Sequence, residues 1–278
     1  MGVLATLILT TALAGVAGTG IGGLVGALLQ KDSKRTVSLL LSFAGGVMLS
    51  VVCFDLVVEA IETNVGIWTV VASVAFGVAV TYGLNYLIDR NTNPEVPHID
   101  ANHPQTADDL DELIHSDHLE QHYARRDSKL GLFIAGIVMA SAIALHNVPE
   151  GMTIGASYAS NDGVMGSAAL VLAILIGLHN IPEGMAVSVP LISGGMSKWK
   201  AVLITACTGI PTILGALLGY VLGEIGPLGL TMSLGFASGA MLYVVFGEIL
   251  PQSILMYHSK LPAFSAIVGI LAGILIIF

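Results

Sequence analysis

Charge is what this sequence has least of. Ten Lys and Arg and nineteen Asp and Glu make up 10% of its 278 residues, against roughly 25% in an ordinary soluble domain. A water-soluble globule is excluded. Cysteine is nearly absent too: Cys53 and Cys207 both fall inside apolar runs, where a free thiol behaves as a small hydrophobe, and they imply no disulfide framework. Long stretches have no Lys or Arg at all, which leaves no electrostatic footprint for a nucleic-acid partner. The net charge of −9 is mostly local, because 14 of the 29 charged residues lie between 89 and 129.

What is present is apolar length. Between the polar breaks run eight hydrophobic segments, at about 2–29, 36–58, 67–88, 130–156, 165–191, 199–222, 228–255 and 261–278, most of them reaching the ~20 residues that cross a ~30 Å hydrocarbon core. The expected fold class is therefore an all-α integral membrane protein with eight transmembrane helices. The first run has no basic residue before Lys31 and is too long for a signal-peptide core, so it reads as a true span. Counting basic residues by loop then sets the orientation. Lys31, Lys34 and Arg35 follow span 1, Arg90, Arg125, Arg126 and Lys129 follow span 3, Lys198 and Lys200 follow span 5, and Lys260 follows span 7. All ten fall on one side, which places both termini outside by the positive-inside rule. With no targeting segment and a compact length, a bacterial or archaeal inner (plasma) membrane is the expected location.

The chain divides into 1–88 (spans 1–3), a cytoplasmic loop at 89–129, 130–191 (spans 4–5) and 192–278 (spans 6–8). The loop interleaves His98, His103, His115, His118 and His122 with Asp and Glu. Two readings stay open for it: a solvated acidic linker, or a weak, exchangeable metal-binding tract.

An internal repeat is visible. Thr19-Gly-Ile-Gly-Gly-Leu-Val-Gly-Ala-Leu-Leu29 matches Thr208-Gly-Ile-Pro-Thr-Ile-Leu-Gly-Ala-Leu-Leu218, and Phe43-Ala-Gly-Gly-Val-Met-Leu49 matches Phe236-Ala-Ser-Gly-Ala-Met-Leu242. Five spans separate each unit from its mate. An odd number inverts the copy, so spans 1–3 and 6–8 form an inverted repeat around spans 4 and 5, a 3+2+3 arrangement known from secondary transporters. The second register pairs Asp55 with Glu248, acidic groups toward opposite faces of the membrane, which makes them candidate relays along a path. Glu59 and Asp162 are candidates for drawing cations to the outer mouth.

The chemistry lies in spans 4 and 5. His146-Asn147-Val148-Pro149-Glu150-Gly151-Met152 recurs 33 residues later as His179-Asn180-Ile181-Pro182-Glu183-Gly184-Met185. Burying a carboxylate at the bilayer centre costs roughly 2.5–3.5 kcal/mol on insertion scales, so these groups need partners and a purpose. His and Glu four residues apart share one helix face. Each proline removes a backbone donor, freeing the Leu145 or Leu178 carbonyl and bending the helix there. At 1.5 Å per residue both histidines lie roughly 16–22 Å from the outer end, near the midplane. Two imidazoles, two carboxylates and two amides make an N/O site for Zn²⁺ or a neighbour such as Fe²⁺, Mn²⁺ or Co²⁺.

These residues resemble the ZIP (zrt/irt-like) family of divalent-metal transporters, in particular bacterial members with HNxPEG in both central helices, and the resemblance covers essentially the whole chain. It implies an elevator-type or rocking carrier, with zinc as the expected cargo and Fe²⁺, Mn²⁺, Co²⁺ or Cd²⁺ as further substrates, no organic cofactor, import into the cytoplasm, and a homodimer as a plausible assembly. By the family pattern His146, Glu150, His179 and Glu183 would form the primary site, with Met48 a candidate extra ligand. Asn147, Asn180 and the bridging glutamates would form a second. Many members carry a further Glu in span 6; here Thr212 stands in its place, which predicts a single dominant metal site. A membrane-embedded zinc hydrolase is the rival from another class. It fits less well, because its usual His-Glu-x-x-His pattern is absent and a symmetric cage offers no separate base. A passive channel would share every site residue with a carrier.

Overall fold

Backbone N–H and C=O groups in hydrocarbon must be satisfied within their own segment, so apolar runs of this length form helices. The computed structural model describes residues 2–28, 33–92, 129–160 and 167–278. Among these residues the chain forms eight successive helical rods and no strand: α1 (Val3–Leu28), α2 (Arg35–Glu62), α3 (Ile67–Thr92), α4 (Lys129–Ser160), α5 (Ser167–Ser193), α6 (Lys198–Glu224), α7 (Pro227–Met256) and α8 (Leu261–Ile277). Six of them, α1, α2, α3, α5, α6 and α7, are long and apolar enough to cross a membrane. α4 runs for 32 residues and carries the first copy of the polar motif, and α8 has 17 residues. The protein is a multi-pass helical membrane protein. Asp162 and the His-rich tract with His98, His103, His115, His118 and His122 lie outside the described residues.

Helix ends follow local chemistry. Gly195 (φ +98°) and Gly226 (φ +118°) make the tight turns after α5 and α6, a conformation open to glycine without steric cost. Pro227 then opens α7 at a position where no N–H is needed. Pro149 and Pro182 sit inside α4 and α5, and both helices run unbroken through them.

Burial separates a centre from a periphery. In the apolar windows of α2, α5 and α7, 67% of residues are buried within the protein, against 33%, 22% and 39% in α1, α3 and α6. The closest packings join α4 to α6, α1 to α5, α2 to α8, α3 to α7 and α4 to α5. The bundle thus has two halves: α1, α4, α5 and α6, and α2, α3, α7 and α8. They meet where α4 touches α7 and α2 touches α5. Close approach within each half depends on small residues, as it does in lipid-embedded bundles generally. A Cβ on Gly151 would run into the Thr212 carbonyl, and one on Gly239 into the Val74 carbonyl.

Three rods contain a π-helical turn, at Leu13–Ala17, Val52–Leu56 and Val245–Ile249. No residue pattern marks these turns in advance. The last two are 193 residues apart, the spacing of the second repeat, and they contain Asp55 and Glu248.

Candidate metal centre

A buried carboxylate or imidazole cannot satisfy itself from its own helix as a hydroxyl can, so it must find partners on a neighbour. The motif residues on α4 and α5 do so by crossing over. His146 Nε2 donates to Glu183 Oε2 at 3.1 Å, and His179 Nε2 donates to Glu150 Oε1 at 2.8 Å. An ionised carboxylate only accepts, so each bond commits the histidine's Nε2 as the donor and leaves Nδ1 with its lone pair. The periodicity put His and Glu of one helix on one face; only the packing of α4 on α5 shows that each histidine is held by the other helix's glutamate.

The two asparagines tie the pair to its flanking helices. Asn147 Nδ2 donates to the Thr208 carbonyl at 2.6 Å, and Asn180 Nδ2 to the Ala14 carbonyl at 3.1 Å. Both carbonyls lie where helix regularity fails: Ala14 in the π-turn of α1, Thr208 at the end of the first segment of α6 before Gly209. A carbonyl released from the regular ladder needs another donor, and the amides supply it. Sequence reading assigned the asparagines to metal alone and missed this bracing, for which the irregular turns were the unseen signal.

All six motif residues are buried, none more than 3% exposed. Each keeps one polar atom without a hydrogen-bond partner: His146 Nδ1, Asn147 Oδ1, Glu150 Oε2, His179 Nδ1, Asn180 Oδ1 and Glu183 Oε1. Orphaned buried polar atoms are rare and call for an explanation. Here all six are lone-pair donors around two carboxylates, a set that fits a divalent cation and offers nothing to an anion. Among the described residues, one ligand atom from each of His146, Glu150 and Glu183 lies within 4.8 Å of the others.

The remaining candidates are distributed differently. Met48 is fully buried in the apolar cluster with Val51, Met185 and Met241. Asp55 and Glu59 are half-buried on α2, and Glu59 is hydrogen-bonded to Ser160 at the end of α4. Glu248 lines a 120 Å³ cavity that also reaches His146. Thr212 is fully buried and its Oγ1 has no partner; it faces Gly15, where an added Cβ would lie 2.5 Å from that oxygen.

The chain is similar to known proteins along nearly its whole length. The chain is 31% identical to a zinc transporter ZupT of Akkermansia muciniphila, covering 99% of this chain and 95% of that protein. It is 31% identical to a zinc transporter ZupT of Clostridium perfringens, over 96% and 92% respectively. To the zinc transporter ZIPB of Bordetella bronchiseptica it is 33% identical, over 94% and 75%. The family model described as ZIP zinc transporter matches residues 85–278, which include both motif helices. With that match and relatives aligned along nearly its full length, this chain belongs to the ZIP zinc transporter family.

Proposed function

We propose that this protein carries a divalent metal cation, zinc foremost, across the membrane into the cytoplasm by alternating access, holding it near the midplane between α4 and α5. The observation that carries the reading is the convergence of His146, Glu150 and Glu183, all buried and each keeping one polar atom without a hydrogen-bond partner. His179 completes the primary site through its bond to Glu150. The relatives named as zinc transporters support the choice of ion. Fe²⁺, Mn²⁺, Co²⁺ and Cd²⁺ suit the same donors, so geometry must discriminate among them. Membership of a transporter family sets the hydrolase aside.

Several features support eight spans with an inverted repeat. Exchanging helices 1–3 for 6–8, and 4 for 5, turns the α1–α5 packing into α6–α4, the α2–α8 packing into α7–α3, and the α2–α5 contact into α7–α4, all of which occur. The π-turns at Asp55 and Glu248 follow the same rule. Two mutually packed halves, only one of which bears the cage, are what a sliding or rocking carrier needs. The basic residues give the orientation, with both termini outside. Domain limits at 88, 129 and 191 follow from the same layout.

Near Thr212 the second-site donors are Asn147 and Asn180 oxygens and the shared glutamates. Without a further carboxylate the charge there neutralises one divalent ion, so a single ion is held tightly. The test is zinc flux into dye-loaded proteoliposomes for wild type, for His146→Ala with Glu150→Ala, and for Thr212→Glu, alongside equilibrium binding stoichiometry. Saturable flux lost in the double variant and one ion per chain in wild type are the expected results. Two tightly held ions, or no flux of any first-row divalent metal, would overturn the single-site reading and the carrier reading respectively.

A further inference from the structure

Between α3, α4 and α7 lies a cavity of 120 Å³ that is open on one side. His146 and Glu248 border it, yet its wall is almost wholly hydrocarbon, with Leu84 from α3, Leu145 from α4, and Phe236 and Val244 from α7. Two of the polar side chains at its edge are committed elsewhere. His146 turns Nε2 to Glu183 on α5 and has its Nδ1 shielded, and Asn85 Nδ2 donates to the Tyr243 hydroxyl at 3.2 Å. A cavity walled in this way stays dry, because a water inside it would lack the polar partners it needs.

The mouth of the cavity is on the outside of the bundle. Leu84 lines it and is 43% exposed, on a helix that is the least buried of the six long apolar ones. Leu145, facing it from α4, is half-buried. Because α3 packs closely on α7 and only lightly on α4, the seam between α3 and α4 is where the cavity meets its surroundings. Those surroundings are hydrocarbon: Val80–Asn85 lie roughly 20–27 Å along α3 from its outer end, inside a ~30 Å core. An apolar cavity of about 150 Å³ takes up a benzene molecule, so this one has room for a segment of about five carbons. Filling it gives the wall atoms the dispersion contacts that a void denies them.

We propose that this cavity is a binding site for a hydrocarbon chain, the acyl tail of a phospholipid of the adjoining leaflet, inserted between α3 and α4. The tail contacts both halves of the bundle, α3 and α7 from one and α4 from the other, so it fits only the arrangement in which α4 stands against α7. A ligand that fits one arrangement alone favours that arrangement by its differential affinity. The site requires a bilayer and does not depend on whether the protein is a carrier.

Photo-crosslinking tests it. The full chain is reconstituted in vesicles containing a phosphatidylcholine with a diazirine in one acyl chain, illuminated, and mapped by peptide mass spectrometry. Val244 lines the cavity and is only 1% exposed, whereas Leu275 on α8 is 82% exposed, so label on Val244 reports an inserted tail and label on Leu275 reports ordinary contact with the bilayer. Both residues are expected to be labelled in the wild type. Ala142→Phe fills the cavity from α4 and lowers the label on Val244 at least about tenfold while Leu275 keeps its own. Should Ala142→Phe fail to elute as a folded species, Val80→Phe fills the same cavity from α3. Label on Leu275 with none on Val244, or label on Val244 that persists in the filled variants, overturns the proposal. So does label on Val244 that disappears as the protein-to-lipid ratio is raised, which would place a second copy of this chain at the seam.

Discussion

α4 and α5 bury imidazoles, carboxylates and amides bonded from helix to helix, beside a few back-bonded hydroxyls such as Thr153; among the described residues of α2, α3 and α7 the buried polar side chains are all hydroxyls. Ser50 donates to the Val47 carbonyl, Ser73 to Val70, Thr231 to Pro227 and Ser238 to Leu234, all within their own helices. Others link helices, as where Ser38 donates to the Ser253 carbonyl and Ser42 to its hydroxyl. A hydroxyl back-bonded to its own turn is cheap to bury and free of further obligation. Imidazole and carboxylate have no such refuge, so they pair across the α4–α5 interface and still leave lone pairs over. In lipid, polarity that can satisfy itself packs a helix, and polarity that cannot marks a site.

The largest effect that could break this contrast is on transport. His146→Ala with Glu150→Ala is expected to reduce flux by more than about a hundredfold, beyond the range set by loss of a supporting group, whereas Ser50→Ala with Ser238→Ala leaves it within about twofold because only self-bonded hydroxyls are lost. Proteoliposome uptake measures both. Comparable losses would erase the distinction.

Packing, by contrast, should be equally strict in both halves. Gly151→Val and Gly239→Val each drive a side chain into a facing carbonyl and should each cost about 1–3 kcal/mol, read as a lowered thermal midpoint in detergent. Tolerance at one position alone would show that the halves do not share one packing rule.

Acid sharpens the comparison further. In the proposed site metal requires ionised glutamates and neutral histidines, so protons compete with the ion and affinity is expected to fall as pH falls, by up to about tenfold per pH unit for each proton displaced. Zinc titrations at pH 7.5 and 6.5 check the sign; an affinity that rises on acidification would remove these residues from the site. Smallest is the bracing: Asn147→Leu gives up its bond to Thr208 and should cost about 1 kcal/mol, visible as a severalfold loss of zinc affinity with flux retained. Asn180→Leu should match it through Ala14.

Much of this was legible along the chain. The run of apolar residues from Ile67 to Leu87 predicts a helix because hydrocarbon permits little else, and the recurrence of His-Asn-x-Pro-Glu-Gly 33 residues on marks the site because such residues are too costly in lipid to be idle. Less legible was anything that depends on an extra residue in a turn. The π-turns at Val52–Leu56 and Val245–Ile249 carry no side-chain signature, so Asp55 and Glu248 could be paired by register but not recognised as sharing a local distortion. Asn85 was passed over entirely, since one amide in a hydrophobic run has no meaning until Tyr243, 158 residues away, is seen to hold it.

The sequence by itself determined the solvent and the helices, and it carries the proposed sidedness in ten basic residues and the proposed site chemistry in one repeated motif, because each follows from composition and spacing along the chain. Tertiary structure decided which histidine meets which glutamate, what the asparagines brace, and that an apolar cavity bordered by His146 and Glu248 lies between α3, α4 and α7. Those are relations between helices, fixed by small residues that let backbones touch, and no periodicity within one helix encodes the rotation of its neighbour.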